Sequence, residues 1–258
     1  MPSAELPNAR ATLERRRDAG ALDWAGPATM LFARSIFAVI AFGVVVGLLS
    51  LQRSPAPWRD AAIWFPIYAT LIDAGCLALL WLLMRREGGR LIDLLSLDRA
   101  RLGRDALIGI ALIAPSLVFI FGGVAAASLL VYGEAAAPFA FADLPLPAAL
   151  YAVLVFPLLW GFTEQMTYNG YLAARIQVLG GTAMAVALTA FSWSFQHAVM
   201  PVRFDADFML YRTLAAIPSS TFFILVYLRI RRIVPLAIAH WLMDGASVFV
   251  SALWPLLR

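Results

Sequence analysis

The chain has 258 residues, of which 62% are hydrophobic and 14% charged, with a mean hydropathy of +0.81 and a net charge of +4. That balance excludes an ordinary soluble domain, in which about a quarter of the residues are charged. The positive excess is divided among loops between apolar runs, which excludes a nucleic-acid surface, and the single cysteine, Cys76, excludes an intramolecular disulfide.

Residues 1–27 are polar and carry Arg10, Arg15, Arg16 and Arg17. No small-residue cleavage site follows a short apolar core, so the segment reads as a cytoplasmic N-terminal piece ahead of a retained anchor. A helix crosses a bilayer in about 20 residues. Runs of that kind are read at 28–50, 61–84, 106–132, 146–171, 182–201, 208–228 and 233–256. The fold class expected is therefore all-α: a multi-pass membrane bundle of about seven transmembrane helices. It divides into the polar segment 1–27, N-terminal transmembrane helices at 28–135 and a core at 145–256. Between the second and third runs, residues 87–104 set Leu91, Ile92, Leu94, Leu95 and Leu97 among charges, the pattern of a short amphipathic helix on the membrane surface.

Arginine is unevenly shared among the loops. Arg85, Arg86, Arg90, Arg99, Arg101 and Arg104 follow the second run, Arg175 the fourth, and Arg229, Arg231 and Arg232 the sixth. The alternate loops are sparse or acidic, with Arg53 and Arg59 in the first, Glu134 and Asp143 in the next, and Arg203 against Asp205 and Asp207 in the last. The positive-inside rule then puts the N-terminus in the cytoplasm and the C-terminus outside. All 20 basic residues are arginine and alanine is abundant, a bias that points to a GC-rich bacterial genome and so to a bacterial cytoplasmic membrane.

Ionisable groups at a span centre cost roughly 2.5–3.5 kcal/mol each on insertion scales. Glu164, His197, His240 and Asp244 are expected to account for nearly all such groups in this chain, which implies a buried polar site. Gly180-Gly181 lies midway between Glu164 and His197, so a hairpin turning there returns both to one depth. Glu164 precedes Arg175 by about 16 Å of helix at ~1.5 Å per residue, and His240 and Asp244 lie roughly 12–18 Å beyond Arg232. Spacings of four put Trp193 over His197, His240 over Asp244, and Gln165 beside Asn169 on common helix faces. The four titratable residues are expected to line one cavity.

These residues resemble the CPBP family of intramembrane proteases, also called Abi or CAAX-protease-like proteins, whose eukaryotic relatives include the Ras-converting endopeptidase. The family carries Glu-Glu-x-x-x-Arg, then Phe-x-x-x-His, then His-x-x-x-Asn or Asp, in successive parts of the chain. The matching residues here are Glu164-Gln165-x-x-x-Asn169, Trp193-x-x-x-His197 and His240-x-x-x-Asp244, with adjoining Asn169-Gly170-Tyr171-Leu172 and Ala239-His240-Trp241 segments, over residues 145–256. Gln165 and Asn169 depart from the charged pattern together, leaving two amides in place of an ion pair.

The resemblance implies a glutamate-type endopeptidase without a cofactor, acting on a peptide or protein substrate in or at the lipid bilayer. Glu164 with His197 would activate water, and His240, oriented by Asp244, would stabilise the oxyanion. Gln165, Asn169, Trp193 and Tyr168 would support these groups. Two other readings stay open. His197, His240 and Glu164 form a His₂Glu set suited to zinc, with Asp244 as base. Alternatively, the altered first motif belongs to an inactive relative serving as a membrane scaffold or immunity protein. A transporter, suggested by Pro66, Pro115, Pro157 and Pro218 within the runs, lacks the repeated pair of broken helices such a fold uses.

Overall fold

A computed structural model describes residues 7–136 and 144–257. Asp143, one of the loop acids noted above, lies outside them. Six helical stretches among the described residues are long and apolar enough to cross a membrane: 33–51, 65–86, 91–132, 146–196, 206–230 and 234–256. The 51-residue stretch 146–196 bends back at Gly181, whose φ of 86° and ψ of 170° are open to glycine and strained for other residues. The two arms of that hairpin supply the fourth and fifth of the seven expected passes.

The polar N-terminal segment is docked onto the bundle. In α1 (Arg10–Asp18) Leu13 is fully buried, and the Asn8 amide donates to the Gly170 carbonyl at 2.8 Å. Next come α2 (Ala25–Leu31) and α3 (Ala33–Leu51), then α4 (Pro57–Ile63) and α5 (Phe65–Arg86), which packs along α3. The amphipathic helix expected at 87–104 is instead two 3₁₀ turns, Leu91–Leu95 and Arg99–Arg101. Ser96, at φ 46°, breaks the helical path, and the Asp93 and Asp98 carboxylates take the N–H groups of Arg90 and Ala100. Local capping by aspartate wins over the apolar periodicity here.

A long helix follows, α6 (Leu102–Tyr132), which lies against α10 (Ala206–Ile230) and α11 (Val234–Val248). Glycine permits the contact. A Cβ on Gly109 would stand 2.8 Å from the Pro235 carbonyl oxygen, and one on Gly123 would meet that of Ala215. Small residues at such crossings let helix backbones approach where lipid supplies no hydrophobic driving force.

The centre of the bundle is one continuous path. It runs through α7 (Leu146–Leu154), a break at Val155 ahead of Pro157, α8 (Phe156–Glu164), a π-helical section over Gln165–Ala173, and α9 (Ala174–Gln196). Every residue from Thr163 to Val178 is buried, so this section has no lipid-facing side. A helix buried all round is enclosed by other helices.

Arg175, read from sequence as a loop charge, is inside that section because the bend falls further on, at Gly181. Its guanidinium is 0% exposed, donates to Glu87 at 2.7, 2.9 and 3.0 Å and to the Gly170 carbonyl at 3.0 Å, and stacks on Tyr171. Arg232 likewise pairs with Asp105 of α6 rather than standing free at the surface.

Candidate active site

Glu164 closes α8 at the entrance to the π-helical section, where wider turns often mark functional positions. Its carboxylate is 0% exposed, and both oxygens accept hydrogen bonds. The Trp193 indole N–H reaches Oε2 at 2.7 Å and the Gln196 amide reaches Oε1 at 2.6 Å, both from the returning arm α9. Trp193 itself stacks on Tyr168, with ring centroids 5.0 Å apart and planes 10° from parallel. The hairpin at Gly181 therefore brings α9 alongside Glu164 as the midpoint argument expects.

From α11, His240 turns Nε2 toward two carboxylates, Asp244 Oδ2 at 3.3 Å and Glu164 Oε2 at 3.8 Å. Its other nitrogen, Nδ1, faces the Gln165 amide nitrogen at 3.3 Å. Asn169 donates to Gln165 Oε1 at 2.6 Å, which leaves the Gln165 N–H for His240 Nδ1. This network assigns the imidazole as Nδ1 acceptor and Nε2–H donor, the only arrangement in which a neutral ring offers a proton to the carboxylates. The amide pair Gln165–Asn169 thus touches the histidine as well as bracing its own helix.

His197 stands apart from this cluster. It caps the end of α9, half-buried, with its backbone N–H on the Ser194 carbonyl at 3.1 Å. Among the described residues it makes no hydrogen bond or ion pair with Glu164, His240 or Asp244. The reason is position along the axis: α9 ends at Gln196, and His197, though within about 40° of Trp193 around the helix, lies past that end and about 6 Å further on. The stacking expected of Trp193 over His197 is replaced by its stacking on Tyr168.

Two buried charges beside the site escaped the sequence reading. Arg34 of α3 and Asp73 of α5 are 1% and 2% exposed, and they pair at 2.9 Å directly beside the site. Arg34 Nη2 lies 3.6 Å from Glu164 Oε1. The assumption that no other ionisable groups lie deep in the apolar runs is thereby corrected. The signal was present, since each is a lone charge inside an apolar run. Gln196, neutral and adjacent to a histidine that drew attention, carried no such signal.

The donor set bears on the zinc reading. Among the described residues no three His, Cys, Asp or Glu side chains are grouped to hold a metal ion. The N–H groups of Trp193 and Gln196 take one lone pair on each Glu164 oxygen. As placed, Glu164, His197 and His240 are not grouped as a His₂Glu centre among the described residues.

Residues 146–246 match the family model described as Type II CAAX prenyl endopeptidase Rce1-like. This agrees with the resemblance drawn from the three motifs. The Rce1-like segment contains Glu164, His197, His240 and Asp244, while Arg34 and Asp73 lie outside it. No curated protein and no solved structure matches the chain.

Proposed function

We propose that this chain is an intramembrane endopeptidase that uses Glu164 as the general base. The observation carrying the reading is the approach of Glu164 Oε2 to His240 Nε2, 3.8 Å apart within the Rce1-like segment. A water about 2.8 Å from each atom completes that gap with ordinary hydrogen-bond lengths. Glu164 takes a proton from this water as its oxygen attacks the scissile carbonyl, and returns the proton to the leaving amine as the tetrahedral intermediate collapses. The His240 N–H receives the oxyanion. The Gln165 N–H on Nδ1 holds the ring in place, and Asp244, which sits on the same Nε2 at 3.3 Å, gives up that N–H as the oxyanion forms and turns away, since a bare carboxylate facing the oxyanion would repel it.

Exposure of the side chains rises from 0% at Glu164 to 13% at His240 and 32% at Asp244. The substrate therefore enters past Asp244. In this scheme no metal takes part, and the chain lies in the membrane with its N-terminus in the cytoplasm. The role that the resemblance gives to His197, sharing in water activation, requires its imidazole to approach Glu164 when substrate binds. His197→Ala tests that separately from the base itself.

The complete burial of Glu164 also favours a second reading, an inactive relative in which the carboxylate is a fixed acceptor joining α8 to α9. One comparison separates the two. Purified wild-type protein in lipid, incubated with a library of membrane-anchored peptides, should release fragments that Glu164→Gln does not, with a loss of 10³-fold or more if the base is essential. No product from either favours the scaffold, and equal product from both removes Glu164 as the base.

A further inference from the structure

Arg34 puts a guanidinium inside an otherwise apolar helix, where a charge persists only if its donors are used. Each edge of the planar group faces a different partner. Nη1 donates to Asp73 Oδ1 at 2.9 Å, Nε donates to Gln196 Oε1 at 2.9 Å, and the plane lies over the Trp160 ring at 4.3 Å from its centroid. Nη2 has no hydrogen-bond partner and lies on the Glu164 side, 3.6 Å from Oε1.

The contact with Gln196 decides the chemistry. Arginine can only donate, and the Tyr168 hydroxyl also donates to Gln196 Oε1, at 3.0 Å. With two donors on one side, the carboxamide oxygen is fixed there and its NH₂ is turned to Glu164 Oε1 at 2.6 Å. Without Arg34 the Tyr168 hydroxyl alone holds that oxygen, and the amide is less firmly set against the half-turn that would put its oxygen on the carboxylate. The Trp193 indole would then remain as the firm donor to Glu164. Asp73, buried on α5, neutralises the guanidinium and sets its plane.

We propose that Arg34, held by Asp73, is a positioning residue of the Glu164 site: it locks the Gln196 amide and through it the carboxylate. The first two transmembrane helices, outside the Rce1-like segment, are then working parts of the site. The catalytic consequence rests on the protease reading above, whereas the geometric consequence does not.

The test uses the full chain in lipid nanodiscs, labelled with ¹⁵N at the tryptophan indole nitrogen. The Trp193 resonance, assigned by its loss in Trp193→Phe, reports the bond to Glu164. Glu164→Gln should move it upfield and serves as the reference. Arg34→Lys should move it in the same direction by at least half as much, because an ammonium is a point charge that cannot serve Asp73 and Gln196 in two fixed directions. Gln196→Leu should do likewise. Should Arg34→Lys fail to fold, the paired variant Arg34→Met with Asp73→Asn, which leaves no unpaired buried charge, carries the measurement. An unmoved resonance in a folded variant overturns the proposal. So does failure of both variants to fold, which assigns the pair to bundle assembly alone. On any peptide that the wild type cleaves, Arg34→Lys should lower kcat roughly tenfold or more with KM within about twofold, the mark of a group acting on the transition state. A change in KM alone overturns it. Absence of cleavage by the wild type counts against the protease reading and leaves the resonance test standing.

Discussion

Replacing Arg175 with methionine removes the central member of a buried network and strands its partners. Among the described residues, Glu87, 8% exposed, would keep Arg16 as its remaining ion-pair partner, with Nη1 3.8 Å away. Asn8 Oδ1 and the Gly170 carbonyl would each lose a donor now at 3.2 and 3.0 Å. Removing one member of a buried ion pair costs about 3–5 kcal/mol, because the remaining charge is left uncompensated. At ~2–4 °C per kcal/mol for a chain of this size, the melting temperature should fall by roughly 10 °C. Methionine matches the arginine stem but not the guanidinium stacked on Tyr171, so the single loss includes the space that group filled, and the double-variant comparison isolates the charge pair. Glu87→Met should also destabilise, but the double variant should be more stable than the sum of the two losses by about 1 kcal/mol or more. The assay is reversible unfolding in mixed micelles by titration with dodecyl sulfate, followed by far-ultraviolet circular dichroism. Additivity within ~0.5 kcal/mol would refute the reasoning, since independent groups add and a charge pair does not.

In the first motif, Gln165→Glu buries a further carboxylate beside Glu164 and takes the donor from His240 Nδ1, and should lower stability. Adding Asn169→Arg should recover part of the loss, with a coupling above ~0.5 kcal/mol. Should the double variant gain a cleavage activity that the wild type lacks, the inactive-relative reading is favoured. Cleavage should survive exhaustive chelation, measured on protein purified without added metal; loss of activity restored by stoichiometric zinc would reinstate the metalloprotease. A pH effect is expected at the start of α10, where Asp205 accepts the Phe208 N–H at 3.0 Å and Arg203 stands 3.1 Å away. The backbone bond, with Arg203 adding to it, holds this carboxyl below its usual value. A depressed folded-state value gives stability that is present above the unfolded value of about 3.9 and lost as pH falls through the lower folded one. Asp205→Asn, which still caps but does not titrate there, should flatten the dependence of the unfolding midpoint below about pH 4. An unchanged slope would refute the cap as its source.

The apolar runs by themselves determined that this is a helical membrane bundle, because a stretch of about 20 apolar residues has few other folded fates. Spacing determined more: Gly180-Gly181 midway between Glu164 and His197 located the hairpin, and intervals of four paired Gln165 with Asn169 and His240 with Asp244. The loop arginines were less legible. A charge count cannot tell Arg175, inside the bundle with Glu87, from an arginine in water, because its partner is distant in the chain and the helix continues to Gly181. The same limit hid Arg34 and Asp73, whose pairing depends on α3 and α5 lying side by side. Tertiary structure also decided which residue of α9 touches Glu164. Helix periodicity fixes residues relative to one another, whereas the rotation of the helix and the point at which it ends are set by packing; here Trp193 and Gln196 meet the carboxylate, and α9 stops at Gln196 and leaves His197 beyond the contact.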